Sequence, residues 1–424
     1  MTSFASTERG LTTRTERVDG PPLVALRLWL RGGALFEPHP GLALVTGRML
    51  TEGTRRRDWR RLALDAESRG MAVHSFGIGD VVGVSIDALA GDWRRAVDWL
   101  AELLLEPTFP EERLDWTVRQ AAAELEALLD APDARTQQAF LEQLYTPHPY
   151  GRPSHGDAES LAAITSDACR AFLGDARARG GCVAVAGAVD PDAVARALDD
   201  TLGDLVAIAE DGGSGNGGSE ARESAAHEPP APKGLAARRE LTLDAAEQAH
   251  LAIGHLTIPR IHDDAAALRL AAVVLGAGAG LTGRIPERVR EREGLAYSAS
   301  LSVQAGAGFG PGRLQVMIGT AAHQVAQAER IVRDELERFL ADGPATDELS
   351  SARAYLVGRE PFRRETVRQR ADRMAEAALY AAPLDDIEWQ VARLESVTAD
   401  DVVAASRRWL HPEALKVTVG LPSS

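Results

Sequence analysis

The 424-residue chain is 45% hydrophobic and carries a formal charge of −15 at pH 7, with a sequence pI near 5.2. This length and apolar content suit two cores better than one, and the acidic balance argues against nucleic acid or an anionic membrane surface as the main partner. Two cysteines, Cys169 and Cys182, suggest neither a disulfide framework nor a thiolate metal centre. The polar N-terminus and the lack of any apolar run of signal-peptide or membrane-span length predict a soluble, cytoplasmic protein.

In the first half, segments 24–33, 71–89 and 182–189 read as strands. Gly41 to Leu50, Trp93 to Leu105, Glu111 to Leu129 and Thr136 to Leu144 read as amphipathic helices. Between Asp211 and Gly234 a Gly/Ser stretch runs into a Pro/Ala stretch with nothing to bury, which predicts a flexible linker between a domain at 1–210 and another at 235–424. In the second half, strands are expected at 250–258, 296–304, 313–320 and 414–421, with helices near Ala265 to Leu275, Ala322 to Leu340, Asp347 to Val357 and Thr366 to Tyr380.

The halves resemble each other. Leu161 to Leu173 leads into CVAVAGAVD, and Leu394 to Leu410 leads into ALKVTVGL; Thr165 and Thr398 stand at the two helix N-caps. Such self-similarity indicates a duplicated domain. The element pattern predicts an α+β class, each domain a mixed, mostly antiparallel sheet with helices packed on one face.

Arg284 to Gln304 places a cation and a phenol seven residues apart across a helix-to-strand turn. Pro286 reads as a first helical residue, Gly294 as a left-handed stop, and the strand beyond alternates from Tyr297. Two readings are open on spacing alone. Arg290 and Tyr297 converge as hydrogen-bond donors suited to a peptide carbonyl or a developing oxyanion, or Arg290 caps its own helix and Tyr297 packs in the core.

The stretch VREREGLAYS resembles the second-domain signature of the insulinase and pitrilysin family of zinc metallopeptidases, L-R-E, a short spacer, then L-G-Y or L-A-Y. The resemblance covers nearly the whole chain and implies the two-domain fold. It also implies that Arg290 and Tyr297 hold substrate across a chamber from the zinc.

The same resemblance runs through GLALVTGRMLTEGT, which matches the family's G-L-A-H-x-x-E-H-M-L-x-x-G-T outside its chemistry. The first metal-binding histidine falls on Leu44, the general-base glutamate on Gly47 and the second histidine on Arg48. These positions share one helix face, and here that face offers neither ligand nor base. A guanidinium at Arg48 opposes a divalent cation. Glu124 falls on the third ligand, for which a surface or ion-paired role is expected, and Thr117 on a companion glutamate.

Other candidates read as structural. His148 and His155, in TPHPYGRPSHG, resemble the family's H-P-Y-G turn. His250 and His255 would sit on opposite faces of a strand, and His74 replaces the usual Asn of an edge strand. Gly276, Gly278 and Gly280 look like a phosphate loop but follow a helical segment.

The resemblance therefore implies the non-zinc subunit of a heterodimeric peptidase, similar to bacterial two-gene pairs and to the mitochondrial processing peptidase. The partner would bring zinc and an intact H-x-x-E-H, and the substrates would be peptides or unfolded segments. The rival expectations are a purely structural subunit, like the core proteins of respiratory complexes, and a stand-alone or homodimeric peptide-binding protein.

Overall fold

The computed structural model describes residues 2–6, 11–203, 231–244, 246–278, 283–296 and 299–423. Two compact units result, and each draws on both halves of the sequence: residues 1–125, 153–229 and 362–385 form one, and 126–152, 230–361 and 386–424 the other. The predicted linker falls mostly on residues outside those described.

The first unit is organised around six strands: β1 (Thr2–Ser6), β2 (Leu11–Arg17), β3 (Leu23–Arg31), β4 (Ala72–Ile78), β5 (Val81–Leu89) and β6 (Gly181–Gly187). They lie in the order β1-β2-β6-β3-β5-β4, with β2 and β6 parallel and every other pair antiparallel. Strand alternation sets the two faces. Val24, Leu26, Leu28 and Leu30 join Val82, Val84 and Ile86 in a large core with the helices Leu42–Met49, Trp93–Leu105 and Ser166–Arg179.

The opposite face is lined by small residues, Ala25, Cys182, Ala184 and Ala186, against which the helix Val367–Leu379 packs Ala371, Met374, Ala375 and Leu379. Ion pairs hold that helix down. Buried Arg27 bonds Asp372 and Asp87, and Arg364 and Arg370 both reach Glu16 at 2.8 and 2.6 Å.

Five strands form the second unit: β7 (Arg238–Leu243), β8 (Ala249–Leu256), β9 (Ala299–Ala305), β10 (Arg313–Thr320) and β11 (Lys416–Pro422), ordered β7-β11-β8-β10-β9. Only β7 and β11 run parallel. Leu251, Ile253, Leu314, Val316 and Val419 face a helix-covered core. Ala252, on the other face, meets Phe140, Leu144 and Tyr145 of the helix Pro132–Tyr145. Gln143 of that helix accepts from Thr418 Oγ1 at 2.6 Å and donates to Ala236 O at 2.7 Å, and Tyr145 Oη donates to Pro311 O at 2.9 Å.

The α+β class and the mixed, mostly antiparallel sheets are as the sequence predicts. The packing has an added feature: each sheet's second face carries one helix from the other half of the chain. Pro286 differs in detail. It closes a short helix, Arg284–Pro286, rather than opening one, and a wide π-type turn, Glu287–Arg292, follows. The missing Pro N–H still lies in a first turn, where it costs no bond. Gly294 does take the left-handed conformation, at φ 60°.

Candidate functional site

The helix Leu42–Met49 presents the altered motif. Its N-terminus is set by Gly41, left-handed at φ 86°, and by Glu37, whose carboxylate accepts from Ala43 N at 2.9 Å. Seven of its eight residues are buried; Arg48 alone reaches toward solvent. The guanidinium of Arg48 makes a two-pronged bond to Glu124, 3.2 Å to Oε1 and 2.6 Å to Oε2. Glu124 lies on the helix Glu111–Asp130, and His155 Nε2 stands 3.4 Å from the same carboxylate.

Planar fork-to-carboxylate geometry is the strong form of an ion pair. With side-chain exposures of 27% and 38%, solvent screening leaves it a modest contribution to stability. Its electrostatic mark is clear, because the Arg48 bond holds the Glu124 carboxyl below the usual carboxylate range. Glu124 is thus occupied by a cation that the chain itself supplies.

These residues do not fit a zinc ion. Leu44 is buried in the apolar core and has no lone pair to offer. Gly47 has no side chain, and Arg48 brings a permanent positive charge to a ligand position. Thr117, where a companion glutamate would stand, is buried with its hydroxyl donated to Arg113 O at 2.9 Å. Among the described residues no group of three or more His, Cys, Asp or Glu side chains is placed to hold a metal ion.

In the second unit, Arg290 lies on the π-type turn and is bonded to Glu291 at 2.6 Å, with 28% of its side chain exposed. Its neighbours are committed elsewhere, Arg284 to Glu348 and Arg288 to Glu335. Val289 anchors the turn in the core and accepts from Leu295 N at 2.9 Å. Tyr297, the other half of the pair, lies outside the described residues, and β9 begins two residues later than Tyr297.

The remaining candidates have structural partners. His148 is 3% exposed, and its Nδ1 accepts from Tyr150 N at 3.2 Å. His255 is pinned between Leu256 O and His411 N. His74 is exposed on β4, the edge strand. Gly276 is a kink at φ 143°, and Gly280 lies outside the described residues.

Burial pushes the His148 imidazole down to about 4, because a charged ring would lose both hydration and its acceptor role. The unfolded chain takes up this proton near 6.5. Stability from the neutral ring is therefore full above about pH 6.5 and falls as pH drops toward 4, by up to about 3 kcal/mol. His148→Gln should be less stable than wild type at pH 7.5 and should lose the part of the decline between pH 6.5 and 4 that the histidine carries, as read by urea unfolding at each pH.

Sequence reasoning missed Gly77, which receives the motif helix on β4, and read His155 as part of a structural turn without its closeness to Glu124. The FGIG run at 76–79 is the signal for the first; a contact across 31 residues has none for the second.

Two α+β units, one of them carrying the motif helix with Leu44, Gly47 and Arg48 at the ligand and base positions, define a peptidase-type scaffold. The chain belongs to the M16, or insulinase, family of peptidases: residues 15–158 match "Insulinase (Peptidase family M16)" and residues 181–356 match "Peptidase M16 inactive domain". A Streptomyces coelicolor protein named as an uncharacterized zinc protease is 26% identical over 408 residues, spanning 94% of this chain and 85% of its own. A non-peptidase homolog from Helicobacter pylori is 25% identical over 356 residues, spanning 82% and 77%. The structure of a peptidase M16 inactive domain from Pseudomonas fluorescens superposes with a TM-score of 0.87 at 25% identity, covering 100% of this chain and 98% of the other. A Helicobacter pylori protease structure shares the fold, with a TM-score of 0.84 at 13% identity and coverage of 100% and 99%.

Proposed function

We propose that this chain is the zinc-free subunit of a heterodimeric M16 peptidase acting on peptides or unfolded segments. The observation that carries the reading is the Arg48–Glu124 pair, which uses the third ligand position to neutralise an arginine instead of holding a metal. A homologous partner with an intact H-x-x-E-H supplies the zinc and the general base. This chain supplies Arg290 and Tyr297 as donors to the substrate carbonyl, whose oxygen gains charge as the peptide bond is attacked.

Substrate in this reading is an extended segment added to the edge strand β4, where backbone groups give affinity independent of sequence. No helix among the described residues is long and apolar enough to cross a membrane, and a cytoplasmic site of action is part of the proposal. The names "inactive domain" and "non-peptidase homolog" among similar proteins support the catalytically silent half of the reading. Metal analysis of the isolated chain after dialysis tests it. Less than stoichiometric, weakly held zinc is expected, and one tightly bound zinc per chain would refute it.

A further inference from the structure

The motif helix meets strand β4 through two glycines, each set against the backbone of the other element. A Cβ built on Gly47 would stand closer than 3.0 Å to the carbonyl carbon of Phe76 and the nitrogen of Gly77, an approach that real Cβ atoms essentially never make. The reciprocal position is as tight, since a Cβ on Gly77 would overlap the carbonyl of Ala43. In both cases the obstacle is backbone, which cannot swing aside as a long side chain can.

The strand is also held in place from several sides. Phe76 sets its ring edge-on to Trp29, with centroids 6.4 Å apart. Ser75 Oγ lies 3.1 Å from Thr51 Oγ1 and donates to Arg48 O at 3.4 Å. Gly77 pairs with Val82 in the β4–β5 ladder. The Phe76–Gly77 peptide thus fills the direction in which any side chain at position 47 would leave the helix.

We infer that the chain is barred from metallopeptidase chemistry by packing as well as by composition: the Gly47–Gly77 contact closes the space of the general base and seats the edge strand on the motif helix. Restoring motif residues one for one does not restore a peptidase here, because a glutamate at position 47 displaces β4. The inference rests on reading position 47 as the lost base position. It concerns the isolated chain, so it stands or falls apart from the existence of a partner.

The test compares thermal unfolding of Gly47→Ala with Gly174→Ala, a control in mid-helix where an added Cβ meets nothing within 4 Å. Gly47→Ala should melt lower than wild type by about 5 °C or more. Gly174→Ala should melt at or above wild type, because alanine is the better helix former. A second arm places Gly47→Glu on the Leu44→His/Arg48→His background, with that background as reference. Failure of the triple variant to fold, or a folded triple variant that cuts no peptide whatever zinc it holds, agrees with a closed base position. A Gly47→Ala protein that melts with wild type, or a folded triple variant that holds one zinc and cuts peptides, would overturn the inference.

Discussion

Arg290→Ala and Tyr297→Phe are each expected to lower turnover of the reconstituted complex by roughly 30- to 1,000-fold, the effect of losing a donor worth on the order of 2 to 4 kcal/mol in the transition state. Tyr297→Phe removes only a hydroxyl. Arg290 has a partner of low cost in Glu291 on the same turn, so a substrate carbonyl can draw the guanidinium away without stranding a buried charge. Assembly with the partner and the partner's zinc content should be unchanged in both variants. Near wild-type turnover in both would leave the pair without a role in chemistry and favour a purely structural subunit.

The second large effect concerns the chain's continuity. Trypsin cleavage within 211–234, near Arg222 or Lys233, is expected to leave two fragments that co-elute as one folded species. Segments 1–210 and 235–424 expressed separately should each aggregate. Segment 1–210 lacks the helix Val367–Leu379, so Ala25, Ala184 and Ala186 lose their cover and Glu16 loses both its arginines. Segment 235–424 lacks Phe140, Leu144 and Tyr145 from its sheet face, and Thr418 loses Gln143. Exposed apolar faces and unpaired buried polar groups of this size exceed the marginal stability of a domain. Size-exclusion chromatography and circular dichroism on the nicked and the separate forms would check this, and two independently soluble, cooperatively melting halves would contradict it.

The motif helix and the large strands were legible because their side chains follow simple periods: Val24 to Leu30 alternate, and Leu42 to Met49 repeat the family's apolar letters. Strand β2 was not. Its LTTRTER pattern is polar, and it lies buried as a strand between β1 and β6 with Arg14 and Glu16 neutralised by Asp385, Arg364 and Arg370, more than 340 residues away. The exchanged helices were visible as helices, but nothing in an alanine-rich face such as Ala371, Ala375 and Ala378 tells which of two similar sheets it covers. At the site, composition showed what Leu44, Gly47 and Arg48 cannot do. That Arg48 turns onto Glu124 depends on a contact 76 residues apart that no local pattern encodes, and that β4 fills the space beside Gly47 depends on one about 30 residues apart whose sole local signal is the FGIG run.

The most direct test of the zinc-free subunit reading is a peptidase titration in which a fixed amount of a homologous M16 protein with an intact H-x-x-E-H, from the same organism, is mixed with increasing amounts of this chain. The account predicts no turnover by this chain alone, little by the partner alone, and activity that rises and saturates at one chain per partner. Activity of the isolated chain, or a partner whose turnover is unaffected by the addition, would contradict it.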